Sequence, residues 1–133
     1  MNRVNLMQTP YVTIFIDAFN GIVVAKWTGF LTLEEVRAGC GFMTHLFKDL
    51  EIKMHMSEHR DLGILSLEVQ NYLVRGWFPE IENIGVRKVG AVVANDVFAE
   101  ATVRRVNSEA SNRNLTIRMF TTTEDCVQWL LTP

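Results

Sequence analysis

The stretch Tyr11-Val12-Thr13-Ile14-Phe15-Ile16-Asp17-Ala18-Phe19-Asn20-Gly21-Ile22-Val23-Val24-Ala25-Lys26-Trp27 places an Asn-Gly pair between two apolar runs. A type I′ turn needs positive φ at both central residues, which Asn and Gly tolerate best, so this pattern predicts a β-hairpin. With a two-residue turn, Phe19 faces Ile22. Ile14, Ile16 and Ala18 then share one face with Val23, Ala25 and Trp27, while the other face carries Phe15, Asp17 and Lys26. One clean apolar face supports the pairing.

Downstream, helices and strands alternate. Thr32 with Glu35 forms a capping box, flanked by Leu31 and Val36 as a hydrophobic staple. Val36, Cys40, Met43, Phe47 and Leu50 recur at helical spacing, predicting a helix over 33–50. A weaker strand follows over 52–58, with Ile52, Met54 and Met56 alternating against Lys53 and His55. Ser66 caps a helix with Val69, Leu73 and Trp77 on one face. Pro79 forces a kink or a fresh turn, and Gly85 ends the segment. The stretch Val86 to Ala94 is apolar on both faces, as in a central parallel strand. Asn95 or Asp96 caps a third helix bearing Ala99, Val103, Val106 and Ala110. Leu115, Ile117 and Met119 alternate with Thr116 and Arg118, as near a sheet edge. Thr121 or Thr122 caps the last helix, with Val127, Leu130 and Leu131 facing inward.

The order read from the sequence is β-β-α-β-α-β-α-β-α: an α/β fold in which an N-terminal hairpin feeds a mostly parallel sheet through right-handed crossovers. At 133 residues the chain fits one domain, with residues 1–10 as an N-terminal extension. It is 48% hydrophobic and 21% charged, ordinary for a globular protein, and a core of this size needs no disulfide or metal staple. The net charge of −2 gives no broad attraction to nucleic acid or an anionic membrane. Arg104, Arg105, Arg113 and Arg118 form a local basic excess, but Glu100 and Glu109 are interspersed and no aromatic ladder accompanies them. A solvated face is the expectation, not a nucleic-acid site. No apolar run approaches the roughly 18 residues of a membrane span, and the N-terminus does not read as a signal peptide. Cys40 and Cys126 form no motif and read as two free thiols in a reducing, cytoplasmic compartment.

Several elements together resemble a known group. They are the hairpin ending Trp27-Thr28-Gly29 with the Leu31-Thr32-x-x-Glu35 helix start, and His59-Arg60-Asp61-Leu62-Gly63 before the Ser66-capped helix. The Trp77-Phe78-Pro79 ending and the Val89–Ala94 strand leading to Asp96 and Phe98 complete the set. This order resembles the small bacterial STAS-like, or SpoIIAA-like, proteins related to anti-sigma-factor antagonists, over nearly the whole chain. The resemblance implies a single STAS-like domain with a non-enzymatic regulatory or interaction role. It also implies a phosphorylated Ser at the start of the helix after the third strand. Gly63 stands here where a hydroxyl would be wanted, and Ser66 is the nearest candidate. The resemblance extends to lipid-binding domains of the SEC14 type, which implies a carrier of an apolar or lipid-like ligand as the alternative.

The candidate sites each have a plainer reading. Phosphate on Ser66 would meet free backbone N–H groups at a helix start, although a simple helix cap is the expected role of Ser66. His55, Glu58, His59 and Asp61 are the densest set of metal-ligand types. Two histidines four apart on a strand lie roughly 13 Å from each other, too far for one ion, so no metal is expected. His59, Arg60 and Asp61 read instead as a polar loop at the carboxyl end of a strand. With Ser66, Asn95, Asp96 and Phe98, they form the expected binding region, since open α/β sheets place ligands there. His59 with Asp61 is the acid–base pair an enzyme would use. Gly39-Cys40-Gly41 within a helix points to close packing on the sheet or to space for a ligand. Cys40 as a nucleophile has no base placed by the sequence. Trp77, Phe78, Met54 and Met56, with Met43, could line an apolar pocket beneath the Ser66–Gly85 segment, though such residues are commonly plain core. The expected partners are therefore a protein or a small apolar ligand, with no cofactor. An exposed apolar face on the hairpin, or on Phe15 and Phe19, would indicate a homodimer.

Overall fold

A computed structural model describes residues 3–94 and 114–133. The elements are β1 (Arg3–Gln8), β2 (Val12–Asp17), β3 (Ile22–Gly29), α1 (Leu33–Leu50), β4 (Met54–Leu62), α2 (Leu67–Tyr72), a π-helical turn (Leu73–Trp77), α3 (Phe78–Asn83), β5 (Lys88–Val92), β6 (Thr116–Phe120) and α4 (Thr123–Leu131). They build one six-stranded sheet in the order β1-β2-β3-β4-β5-β6. The pairs β1–β2 and β2–β3 are antiparallel, and the three remaining pairs are parallel. The expected third helix, with its cap at Asn95 or Asp96, lies outside the described residues.

The N-terminal extension is corrected: Arg3–Gln8 is an edge strand on β2. The hairpin forms, but with a longer turn. Asp17 pairs with Ile22, so Ala18 to Gly21 make the connection. The cause is Asp17, whose carboxylate accepts from the Asn20 backbone N–H at 3.1 Å and from Asn20 Nδ2 at 2.8 Å. The Asp17 carbonyl accepts from Gly21 N–H at 2.8 Å, and Gly21 takes φ 70°. The register therefore moves by two residues from the expected one. Side chains alternate with period two, so the faces are unchanged. Ile14 faces Ala25, and Ile16 faces Val23. Ala18 alone leaves the core face for the exposed turn.

One face of the sheet carries α1, α2 and α3 over Ile14, Val23, Ala25, Trp27 and Val89. The other carries α4 over Phe15, Ile22, Val24, Met56 and Val92. Phe15 is therefore core, while Phe19 at the hairpin tip is 92% exposed. The capping box at Thr32 and Glu35 forms in full. Val36, Cys40, Met43 and Phe47 are buried on the inner face of α1. Leu50 is exposed at its last turn, as is Leu131 at the end of α4. The Gly39 position is a close approach: a Cβ there would stand 2.6 Å from Cη2 of Trp27, so α1 can lie on the indole only with glycine. The expected break at Pro79 is a π-helical turn followed by α3, with Pro79 in the first turn of α3.

Candidate functional site

Strand β4 is longer than expected. It runs to Leu62, so His59, Arg60 and Asp61 belong to the strand and not to a loop. Alternation then sorts its residues. Met54 and Met56 fall on the α4 face and pack with Ile22, Val24 and Leu130. His55, Ser57 and His59 fall on the opposite face, toward α1 and the Ser66–Gly85 segment. There they border a cavity of about 60 Å³. Trp77 and Phe78 line it with Leu65, Val69, Cys40 and Trp27; Met54 and Met56 do not. Both faces of a central strand are buried, so apolar character alone does not tell which side a residue takes.

Each wall residue has a structural cause. The π-helical turn places Trp77 against the sheet. Trp77 Nε1 donates to the Cys40 carbonyl at 3.1 Å and lies 3.0 Å from Thr44 Oγ1, which in turn lies 3.0 Å from Glu80 Oε1. Those contacts tie α1 to the segment that roofs the cavity. Ser66 is exposed, and its Oγ accepts from the Val69 N–H at 3.2 Å, turning Val69 inward. Its observed role is thus a helix cap.

The two histidines differ. His55 is buried, its Nδ1 donating to the Val23 carbonyl at 2.8 Å, and its ring meets Phe47 and Trp77 edge-on. Burial lowers its pKa to about 4, against the hydrogen bond to Val23, so the ring is neutral at pH 7. His59 is held by Ser57, whose Oγ lies 2.6 Å from Nε2. The residue as a whole is half-buried, yet Nδ1 is shut off from solvent and has no partner among the described residues. Burial also brings His59 to about 4, with Glu58 acting weakly in the opposite sense. Burial pushes the Cys40 thiol well above its ordinary range, with Glu80 adding to the effect, so Cys40 is a neutral wall group and not a thiolate.

The charged residues of β4 sit elsewhere. Arg60 Nε and Nη2 clasp the Glu58 carboxylate at 2.8 and 2.7 Å, and Nη2 lies 3.3 Å from Thr123 Oγ1 of α4. Burial would raise Glu58, but Arg60 holds it below the usual carboxylate range. Asp61 is exposed, and no hydrogen bond among the described residues joins it to His59. Asn95, Asp96 and Phe98 lie outside the described residues, as do Arg104, Arg105 and Arg113. No group of three or more His, Cys, Asp or Glu among the described residues is placed to hold a metal ion. No helix among them is long and apolar enough to cross a membrane. Ser57 was missed by sequence reasoning. The signal was there in the small hydroxyl residue midway between two histidines on one strand face.

A solved structure from Shewanella loihica PV-4 superposes on the chain with a TM-score of 0.52. It covers 97% of this chain and 92% of its own at 18% identity. It is described as an uncharacterized protein from the DUF3478 family with a SpoIIAA-like fold. The fold here is SpoIIAA-like. At that identity the likeness concerns the fold alone. No family model matches the chain, and no curated protein matches it.

Proposed function

We propose that this SpoIIAA-like protein is a non-enzymatic binding domain whose ligand is a small, mainly apolar molecule held in the cavity beneath the Ser66–Gly85 segment. The observation that carries this reading is the wall itself. Apolar side chains make up most of the wall, and His55, Ser57 and His59 are its few polar residues, with Ser57 and His59 hydrogen-bonded to each other. Binding sites for small molecules have this composition, apolar with a few placed polar groups. The volume supports a short ligand over a lipid chain, since about 60 Å³ is less than half the roughly 150 Å³ that holds benzene. A role without catalysis fits the exposed Asp61 and the neutral Cys40. The two buried free cysteines fit a reducing, cytoplasmic compartment.

The test is a thermal-shift screen of the full chain against short-chain neutral metabolites, repeated with Val69→Phe, which fills the cavity. A ligand at a hundred times its Kd adds about 2.7 kcal/mol, enough to raise Tm by several degrees. The expected result is a rise in the wild type that Val69→Phe removes. Equal shifts in both proteins, or none in either, would contradict the cavity as the site.

A second reading, a protein partner, is favoured by the rim. Phe30, Ile64 and Leu67 are 84%, 55% and 57% exposed, and they neighbour the wall residues Leu31, Leu62 and Leu65 in sequence. Phe30 lies over Gly63, where a Cβ would come within 2.9 Å of its ring. Under this reading, Phe30→Ser with Leu67→Ser releases a co-purifying protein. Retention of that protein by the double variant would remove the rim from consideration.

A further inference from the structure

His55, Ser57 and His59 stand in the cavity wall, yet the surface facing the space is almost entirely apolar. Resting on the small-ligand reading above, we infer that the occupant is a nonpolar molecule of about two or three heavy atoms, held without a hydrogen bond to the wall. A short hydrocarbon or a gas of that size fits this description.

The polar groups of the wall are spent on the protein or closed off. Ser57 Oγ and His59 Nε2 share a hydrogen bond at 2.6 Å. His59 Nδ1 has no surface open to solvent, so it offers nothing to a molecule in the cavity. His55 is buried, and its Nδ1 donates to the Val23 carbonyl at 2.8 Å. Trp77 Nε1 donates to the Cys40 carbonyl at 3.1 Å and lies 3.0 Å from Thr44 Oγ1. Cys40 adds a thiol, which hydrogen-bonds only weakly.

Solvation then sets the class. None of the described wall residues is Asp, Glu, Lys or Arg, so an ion would give up its water without meeting a counter-charge. A hydroxyl or amide would also give up its water, and burying such a group without a partner is unfavourable. A hydrocarbon makes no such sacrifice, and each carbon taken out of water adds to its binding. Volume limits the size. The cavity holds about 60 Å³, against the roughly 150 Å³ that accommodates benzene.

Propane and ethanol are nearly isosteric and differ at one end, a methyl against a hydroxyl. Both bind weakly, because ligands this small have few contacts to offer. The readout is therefore NMR titration of the methyl-labelled full chain, with propane supplied as dissolved gas under pressure. Propane should shift the methyl resonances of Leu65, Val69 and Val89. The shifts at Leu65 and Val89 should disappear in Val69→Phe, and in Ala91→Val if the larger replacement unfolds the chain. Propane should bind at least about tenfold more tightly than ethanol, the difference expected for one hydroxyl buried without a partner. Benzene should move none of these resonances. A smaller propane-to-ethanol ratio, with both bound at the same methyl groups, means that a polar group of the wall reaches the occupant. Benzene shifts at those methyl groups mean that the size limit is wrong. Either result overturns the inference and leaves the cavity a ligand site. If no probe moves a wall resonance, or if the propane shifts survive both substitutions, the inference and the small-ligand reading fall together.

Discussion

Gly90 and Ala91 are neighbours on β5 and face opposite sides of the sheet. At Gly90 the Cys126 sulfur of α4 stands so close that no Cβ could be added without moving it. At Ala91 the side chain borders the cavity. The α4 face is closed by an apolar cluster of Phe15, Ile22, Val24, Met56, Val92, Cys126 and Leu130. The charged pair Glu58–Arg60 meets that helix only near its start, at Thr123. The opposite face is larger, yet it carries two neutral histidines, a serine and unfilled volume. Side chains packed to full density contribute stability, whereas space lined by a few polar groups costs stability and is retained where a ligand is to be accommodated. One face thus reads as the support and the other as the site.

That contrast is open to direct challenge. The largest effect is expected on the closed face. Leu130→Ala removes a fully packed side chain and should cost about 3–4 kcal/mol in urea unfolding at pH 7. A loss below 1 kcal/mol would mean that the α4 face is not the denser one.

Acid is the next lever, and it acts on the open face. His55 has a folded pKa near 4 against an ordinary 6.5, so the unfolded chain takes up its proton first. Its neutral burial is therefore no penalty above pH 6.5, and stability falls as pH drops from 6.5 toward 4, by about 3 kcal/mol for this ring. His59 shifts in the same direction and adds to the fall. Urea midpoints measured across that window should flatten by about half in His55→Gln. An unchanged slope would show that the rings are not buried neutral.

The smallest effect has the opposite sign. Ala91→Val adds two carbons at the cavity on a strand that suits a β-branched residue, and should stabilise the protein by about 1 kcal/mol while abolishing ligand-induced thermal shifts. The equivalent change at Gly90 should destabilise it, since Cys126 already occupies the space.

Much of this division was readable in the sequence, and the exceptions have physical reasons. The hairpin faces were legible because alternation survives a two-residue register change; the turn length was not, because Asp17 and Asn20 fix it through side-chain hydrogen bonds. Thr32, Ser66 and Thr122 cap helices where their side chains suggested. The strand Arg3–Gln8 was hidden because its Asn and Gln residues give no clean period. At β4 the alternation is visible, but not which face meets the cavity. Met54 and Met56 read as pocket lining and His59 as part of a polar loop, whereas the cavity side holds His55, Ser57 and His59. Trp77 and Phe78 were recognisable as lining candidates because they are large aromatics on the segment expected to lie over the sheet. The missing partner of His59 Nδ1 depends on three-dimensional neighbours and leaves no trace in residue spacing.

The difference between the faces is tested most directly by xenon, which enters apolar cavities and not packed cores. Methyl-labelled protein under a few atmospheres of xenon should show shifts at Leu65, Val69 and Val89, which line the cavity, and none at Ile22, Val24, Val92 and Leu130. Shifts spread equally over both sets, or confined to the α4 face, would contradict the assignment of the cavity side as the binding face.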